Sequence, residues 1–226
     1  MLIVLEGLDG AGKSTQLRML SDYAAAKGME VEHLHFPRYD APVFGEMIAR
    51  YLRGDYGAID AVHPQIVALL FAEDRRAAAP FLREKLDAGK CVILDRYVYS
   101  NIAFQCSKTA SVEESRSLRD WILRTEYEIF RIPRPDLNLF LDVPISFVDD
   151  RLHETREGDD RNYLEGKSDI HEADIEFQKR VRAIYLEQCA SDSGFRRIDC
   201  SGKDGRMLPA EAIFEKIRTQ IDTLIK

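Results

Sequence analysis

The sequence predicts a single α/β domain in which five parallel strands form a sheet with helices on both of its faces. Apolar runs of strand length alternate along the chain with longer stretches of helical periodicity, the order typical of such a domain. Most of the short runs are almost continuously apolar, as expected of strands that helices cover on both faces. The 226 residues are 45% hydrophobic and 31% charged, the composition of a globular domain with a full core.

The elements follow one another without a Pro/Gly/Ser-rich linker or an internal repeat, so residues 1–226 are expected to form one domain. The strand-length runs are Leu2–Leu5, Val31–Phe36, Cys91–Leu94, Leu137–Val143 and Phe195–Ile198. Helical periodicity covers Lys13–Lys27, Val62–Asp87, Val112–Phe130, Ile145–Glu154, Glu172–Ala190 and Pro209–Ile225. Because proline lacks the N–H of a helical hydrogen bond, we expect the longest helix to bend near Pro80.

Charge and composition exclude several classes of function. Lys and Arg number 32 against 39 Asp and Glu, a net charge of −7, which is too acidic for a broad face that binds nucleic acid but leaves room for a small basic pocket. No apolar run approaches the length of a membrane-spanning helix. The apolar start Met1–Leu5 predicts a strand, since it lacks the basic residues of a signal peptide. Four cysteines without a C-x-x-C pair favour a reducing, cytoplasmic setting.

A phosphate-binding loop follows the first strand. Residues 7–14 match G-x-x-x-x-G-K-[ST] at every fixed position, between a strand and a helix as the motif requires. The glycines let backbone N–H groups surround a phosphate, Lys13 reaches its oxygens, and the Ser14 hydroxyl can bind Mg²⁺. The alternative is an ordinary glycine-rich turn capped by serine. The predicted nucleotide-binding residues are Gly7, Leu8, Asp9, Gly10, Ala11, Gly12, Lys13, Ser14 and Thr15.

An acidic residue ends the third apolar run. In a protein that binds a nucleoside triphosphate, a carboxylate at this place approaches the metal ion, so we interpret Asp95 as a metal-site residue together with Ser14. By itself, an Asp at a strand end is more often a turn former. Arg96, the next residue, supports a site for an anion.

The segment from Arg156 to Glu172 is rich in charge and has almost no apolar periodicity. It predicts a mobile segment between two helices, and in enzymes such segments often close over the substrate. We therefore expect a lid at approximately residues 151–172.

Several blocks of the chain resemble thymidylate kinases in order and spacing, from the first residues to about Tyr185. These blocks are Glu6–Gln16, Phe36–Tyr39, Leu70–Arg75, Leu94–Tyr97 with Ser100 and Asn101, Leu141–Pro144 and Phe177–Arg182. The resemblance implies the fold of the P-loop nucleoside-monophosphate kinases and a Mg²⁺-dependent transfer of the ATP γ-phosphate to dTMP, giving dTDP. No covalent intermediate is needed, because positioning and charge stabilisation carry this reaction. It also implies a homodimer.

The resemblance implies roles for individual residues around dTMP. Asp9 would accept a hydrogen bond from the 3′-hydroxyl or hold the acceptor near the metal, and Arg38 and Arg96 would bind the 5′-phosphate. Phe71 would stack on the pyrimidine and Arg75 would donate to thymine O4. The full set of expected dTMP-binding residues is Asp9, Phe36, Arg38, Phe71, Arg75, Arg96, Ser100, Asn101 and Phe104, of which Phe104 crowds the 2′ position and Asn101 lies beside the sugar and base.

Arginine placement departs from one branch of that family, because the variable loop positions Asp9, Gly10 and Ala11 carry no arginine. The expected lid holds Arg151, Arg156 and Arg161, which would meet the charge of the transition state. The implied catalytic residues are therefore Lys13, Asp9, Arg96, Arg156, Arg161 and Arg151. The stretch Glu165–His171 resembles an insertion relative to compact family members.

Each of these residues has a structural alternative when taken alone. Phe71 fits a helix core, Arg75 with Arg76 fits a solvated pair, and the lid arginines fit a solvated loop. Two other functions also stay open: a kinase of this fold with a different nucleotide or deoxynucleoside acceptor, and a nucleotide-binding switch. The second lacks its sequence features, since no N-K-x-D occurs and Asp95 is not followed by the D-x-x-G pattern.

Overall fold

The structure is a computed structural model and describes residues 1–153, 163–165, 169–171 and 174–224. Its strands are β1 (Leu2–Gly7), β2 (Val31–His35), β3 (Cys91–Asp95), β4 (Leu137–Asp142) and β5 (Phe195–Asp199). They form one sheet in the order β2-β3-β1-β4-β5, and every neighbouring pair is parallel. The predicted sheet is confirmed, and each strand agrees with its predicted bounds to within two residues.

Burial along the strands reflects their place in the sheet. Every residue of β1 and β4 is buried, whereas the two edge strands are more exposed: β2 has no fully buried residue, and in β5 only Phe195 and Ile198 are buried. Strands covered on both faces need apolar side chains at successive positions, and edge strands do not. This explains why the second and last strand-length runs in the sequence carry more polar residues than the others.

The helices connect successive strands, except the last, which follows β5. They are α1 (Lys13–Ala26), α2 (Phe44–Leu52), α3 (Pro64–Asp87), α4 (Val98–Cys106), α5 (Val112–Leu123), α6 (Ile145–His153), α7 (Ile175–Ser191) and α8 (Ala210–Ile221). All the predicted helices are present, and α3 continues through Pro80 to its end. The predicted helix ends Glu154, Glu172 and Ile225 lie outside the described residues. Two helices, α2 and α4, were not predicted.

Helix α4 was not predicted because every one of its residues is buried. A helix that is enclosed on all sides has no polar face, so the 3.6-residue alternation that signals a surface helix is missing. Helix α2 is only nine residues long. Its close packing shows at Gly45, where a Cβ atom would lie 2.2 Å from the carbonyl oxygen of Arg38. Glycine is therefore required at this position.

The predicted helix 112–130 changes its geometry near its end. After α5, residues Arg124–Ile129 form a π-helical segment, a wider turn than the α-helix. Thr125 and Glu126 are buried in this segment, whereas Glu128 and Ile129 are exposed. The wide turn thus directs one acidic side chain into the protein.

The buried carboxylate of Glu6 joins β1 to α4. Its Oε1 accepts hydrogen bonds from the backbone N–H groups of Tyr97 at 2.9 Å and Ser100 at 3.1 Å, at the start of α4. Its Oε2 accepts from the Ser100 hydroxyl and from Tyr185 Oη at 3.1 Å. The first turn of a helix has N–H groups without partners, and Glu6 supplies an acceptor for them. Burial nevertheless raises the pKa of Glu6, although its hydrogen bonds and the charge of Arg96 oppose this shift.

The cap predicts an order of stability for two variants of Glu6. Glu6→Ala leaves the buried N–H groups of Tyr97 and Ser100 without an acceptor, and each loss costs about 1–3 kcal/mol. Glu6→Gln keeps one carbonyl oxygen for the cap, so it should lower the free energy of unfolding less. Urea denaturation followed by circular dichroism measures both, with Glu30→Ala, an exposed position, as the control. Equal losses in the two Glu6 variants would contradict the capping role.

Candidate active site

The candidate site lies where β1, β2 and β3 end. Carboxyl ends of parallel strands meet at one edge of a sheet, and ligands of open α/β sheets bind in the crevice there. The phosphate-binding loop follows β1, residues 36–39 follow β2, and Asp95 with Arg96 ends β3. Residues separated by almost 90 positions in the sequence therefore face one another.

The phosphate-binding loop has the backbone that its motif requires. Gly10 and Gly12 have φ angles of 73° and 78°, in the left-handed region that glycine adopts most easily. Lys13 begins α1, and its Nζ donates to the carbonyl oxygen of Leu8 at 3.2 Å and lies 4.0 Å from Asp95 Oδ1. The backbone N–H groups at the start of α1 add partial positive charge. The loop is thus built to hold an anion.

Asp95 provides a strong candidate for a metal ligand. Burial raises its pKa, but the charge of Lys13, a hydrogen bond with His35 and the charge of Arg96 outweigh burial and lower the pKa to about 2, so the carboxylate is ionised. Its Oδ1 is buried and has no hydrogen-bond partner among the described residues. Ser14 is exposed in the first turn of α1. Mg²⁺ typically takes one or two protein oxygens and completes its shell with phosphates and waters, so these residues fit the ion.

Arg96 joins the phosphate-binding loop to α4. It is buried and has a φ of 66°, unusual for a residue other than glycine. One end of its guanidinium donates to the Gly7 carbonyl at 2.7 Å and to Ser100 Oγ at 3.2 Å, and the other donates to Asp9 Oδ1 at 2.6 Å. Burial opposes its charge, but neighbouring acids, with Asp9 the strongest, raise the pKa of Arg96. The charge is therefore permanent.

A pocket opens between this arginine and helices α3 and α4. Eight of the nine expected dTMP-binding residues line it: Asp9, Phe36, Phe71, Arg75, Arg96, Ser100, Asn101 and Phe104. Arg38 does not belong to this lining. Its guanidinium donates through Nε to Asp74 Oδ1 at 2.9 Å and through Nη2 to the Asp74 carbonyl at 2.8 Å. The structure thus brings together the predicted set with one exception, and the role of Arg38 stays a prediction.

Two polar side chains at one end of the pocket share a buried carboxylate. Arg75 donates to Glu126 through Nε at 2.5 Å and Nη2 at 2.7 Å. Asn101 Nδ2 donates to Glu126 Oε1 and to the Ala68 carbonyl, both at 3.0 Å. Glu126 was missed at the level of the sequence, where it occupies one position in a region of helical periodicity and carries no distinguishing signal.

The described part of the predicted lid forms one wall of the pocket. Tyr163 stacks on Tyr39, with ring centroids 3.7 Å apart, and its hydroxyl donates to Asp169 Oδ2 at 2.6 Å. The backbone N–H of Ile170 bonds to the Leu52 carbonyl of α2 at 3.0 Å. Tyr163, Asp169 and His171 all line the pocket, so the apparent insertion contributes to the site. Arg156, Arg161 and the side chain of Arg151 lie outside the described residues.

Lys108 connects His171, in the described part of the predicted lid, to side chains of α2 and α4. Its Nζ lies 2.8 Å from Tyr51 Oη, 2.8 Å from Gln105 Oε1 and 2.9 Å from His171 Nε2. Burial, partly offset by the charge of Asp169, lowers the pKa of Lys108 to about 7. Burial and the charge of Lys108 also hold the pKa of His171 well below its usual value. No sequence pattern indicated this cluster, because its members come together only in the folded chain.

One edge of the five-stranded parallel sheet carries the G-x-x-x-x-G-K-S loop after β1, an acid at the end of the adjacent strand and a pocket beside them. This combination is typical of the nucleoside-monophosphate kinases. The family model described as thymidylate kinase matches residues 5–206. The chain belongs to the thymidylate kinase family and is therefore a phosphotransferase enzyme.

Individual relatives and a solved structure agree with this assignment. The thymidylate kinase of Mycobacterium tuberculosis is 34% identical over 197 residues, covering 87% of this chain and 89% of the relative. A probable thymidylate kinase of Thermococcus kodakarensis is 32% identical over 230 residues, covering 100% and 98%. The structure of thymidylate kinase from Candida albicans matches with a TM-score of 0.72 at 26% identity, covering 98% of this chain and 91% of that one.

No helix within the described ranges combines the length and the apolar character needed to cross a membrane.

The pKa of Lys108 predicts how stability changes with pH. In the folded protein burial lowers this pKa from the ordinary 10.5 to about 7. Between these values the unfolded chain holds a proton that the folded chain has released, so rising pH stabilises the wild type relative to Lys108→Met. We expect the difference in the free energy of unfolding to shift in favour of the wild type by at most about 1.4 kcal/mol per pH unit. Urea denaturation between about pH 7 and 10 measures it, and a difference independent of pH would contradict the burial of this charge.

Proposed function

We propose that the protein transfers the γ-phosphate of ATP to dTMP, giving ADP and dTDP, with Mg²⁺ bound at the phosphates. The observation that carries the proposal is the position of Asp9 and Arg96. Both residues line the acceptor pocket, and Arg96 donates a hydrogen bond to Asp9 in the phosphate-binding loop. An acceptor phosphate at Arg96 would therefore lie beside the phosphates of a nucleotide in the loop, which is the arrangement that direct transfer needs.

On the donor side, residues Gly7–Thr15 bind the phosphates of ATP through the backbone, and Lys13 moves from the Leu8 carbonyl to the β- and γ-phosphate oxygens. Burial and the charge of Arg96 lower the pKa of Lys13, and the charges of Asp95 and Asp9 oppose this shift. Ser14 and Asp95 would hold Mg²⁺. When bound, this ion neutralises the charge on the phosphate oxygens during transfer.

On the phosphate side of the acceptor, Arg96 binds the 5′-phosphate of dTMP. Its contacts with Gly7 and Ser100 fix the guanidinium before the substrate arrives, so little side-chain entropy is lost on binding. Arg38, held on Asp74 beside the pocket, is proposed as the second phosphate ligand. Asp9 is proposed to meet the 3′-hydroxyl of the acceptor.

On the base side, the pocket offers one acceptor and one donor. Asn101 Oδ1 is buried without a hydrogen-bond partner among the described residues, and it can accept from N3–H of thymine. Arg75 can donate to O4 from the end of its guanidinium that Glu126 does not bind. Phe71 provides a surface for stacking, Phe36 lines the same pocket, and Phe104 is placed beside the 2′ position of the sugar.

The acceptor preference and the phosphate loop can be tested together in a coupled assay of ADP release. With dTMP, dUMP, CMP, AMP and GMP as acceptors, we expect dTMP to give the highest kcat/KM. Lys13→Ala should reduce the rate to less than about a tenth, because Lys13 stabilises charge that develops only during transfer. Lys27→Ala, an exposed lysine at the end of the same helix, is the control. A higher kcat/KM with CMP, AMP or GMP would reject the proposed acceptor.

The lid arginines are proposed to complete the stabilisation of the transition state, since the phosphate-binding loop carries none. Changing Arg156 and Arg161 together to Ala should lower kcat by about 10²–10⁴-fold, with Arg151 substituting in part. The affinity for dTMP alone should hardly change, because these groups act on charge that develops during transfer. Steady-state kinetics and calorimetric titration separate the two quantities. An unchanged kcat would remove both arginines from the mechanism.

We also propose a cytoplasmic homodimer. Cys91, Cys106 and Cys200 are buried free thiols, which suits a reducing compartment. Apolar side chains remain exposed on α3 and on the π-helical segment, among them Ile66 and Ile129, exposed by 54% and 62%. A second copy of the chain could cover such residues, and light scattering after size-exclusion chromatography tests this directly.

A further inference from the structure

We infer that Glu126 is a positioning residue that fixes the hydrogen-bond pattern with which the pocket reads the acceptor base. The inference rests on the proposed function, because it places the base of the acceptor at Arg75 and Asn101. Glu126 does not itself line the pocket. It acts through the two side chains that do.

Glu126 is a buried carboxylate with two partners in the pocket. Its side chain is 0% exposed, and it lies on the π-helical segment after α5. A carboxylate removed from water needs hydrogen bonds or opposite charges to compensate. Glu126 obtains both from Arg75 and Asn101, and Arg75 Nη2 and Asn101 Nδ2 converge on the same oxygen, Oε1. The two pocket side chains are therefore held next to each other.

The contacts of Asn101 fix the orientation of its side-chain amide. An amide can turn over and exchange its donor for its acceptor unless its surroundings distinguish the two ends. Here Nδ2 faces two acceptors, Glu126 Oε1 and the Ala68 carbonyl, each at 3.0 Å. Turning the amide over would bring its oxygen against both. Glu126 therefore helps to keep Oδ1 directed away, where it is buried without a partner among the described residues.

Glu126 also engages part of the Arg75 guanidinium. A guanidinium has donors on Nε, Nη1 and Nη2, and the fork of Glu126 engages Nε and Nη2. Nη1 makes no hydrogen bond to any residue within the described ranges, so it remains as a donor. Burial lowers the pKa of the Arg75 guanidinium, but the negative charge of Glu126 outweighs burial and raises this pKa. The arginine is thus both charged and fixed in direction.

Together these contacts leave an acceptor on Asn101 and a donor on Arg75, two side chains that line the same pocket. Thymine and uracil present the complementary pair, a donor at N3–H and an acceptor at O4. Cytosine presents the reverse pair, an acceptor at N3 and an amino donor at C4. Without the carboxylate of Glu126, Asn101 could turn over and Arg75 would lose its partner. The pocket would then lose its ability to distinguish the two kinds of base.

The test compares dTMP with 5-methyl-dCMP, which differ only at the hydrogen-bonding edge of the base. In Glu126→Gln, the ratio of their kcat/KM values should fall by about tenfold or more, the change expected when a charged hydrogen-bond partner is lost. The loss should appear mainly as a higher KM for dTMP, while the KM for ATP stays the same. Glu128→Gln is the matched control, two positions later on the same segment and exposed, and should keep the wild-type ratio.

A merely structural role gives a different result, since fewer folded molecules lower both activities equally and leave their ratio unchanged. That outcome would overturn the inference. If circular dichroism shows that Glu126→Gln does not fold, Glu126→Asp carries the test. It keeps the charge but is too short to serve both partners, so its ratio should also fall. A wild-type ratio in whichever variant folds overturns the positioning role. If the wild type itself fails to prefer dTMP, the proposed function is rejected, and the inference with it.

Discussion

The structure depends first on one buried carboxylate at the carboxyl end of β1. Glu6 supplies the hydrogen-bond acceptor for the start of α4 and binds Ser100 and Tyr185. Helix α4 is enclosed on all sides and carries Asn101 and Phe104 into the pocket. A charge inside a buried strand destabilises the protein unless it is paired. Here its partners hold the start of α4 against β1, and the side chains that α4 contributes to the pocket are placed with it.

Carboxylates also pair with the cationic side chains of the site. The pairs are Arg96–Asp9, Arg75–Glu126, Arg38–Asp74 and Lys13–Asp95. Removing such groups from water is unfavourable, and buried ion pairs often add little to stability. Their benefit here is direction, since the three guanidinium groups are oriented before an anionic ligand arrives. A chain with a net charge of −7 can therefore bind two anionic nucleotides, because its positive charges are concentrated at one edge of the sheet.

The sequence predicted features that depend on local pattern. Continuous apolar runs identified the strands, and the spacing of glycines and Lys13 identified the phosphate loop, whose shape is set by backbone geometry. Features that depend on distant contacts were missed: α4, which has no polar face, and the contacts of Glu126 and Lys108, which meet their partners only after folding. One signal was present. Glu6 interrupts an apolar strand, and a charge in such a place requires partners elsewhere in the chain.

In the proposed function, Arg96, Arg75 and Asn101 are already in place before the acceptor binds. A crystal structure with bound dTMP tests this most directly. We expect Arg96 to contact the 5′-phosphate while it keeps its hydrogen bond to the Gly7 carbonyl. We also expect Asn101 Oδ1 to face N3 of the base, with Nδ2 still bonded to Glu126. A structure in which Arg96 leaves Gly7, or in which the Asn101 amide is turned over, would contradict this preorganisation of the site.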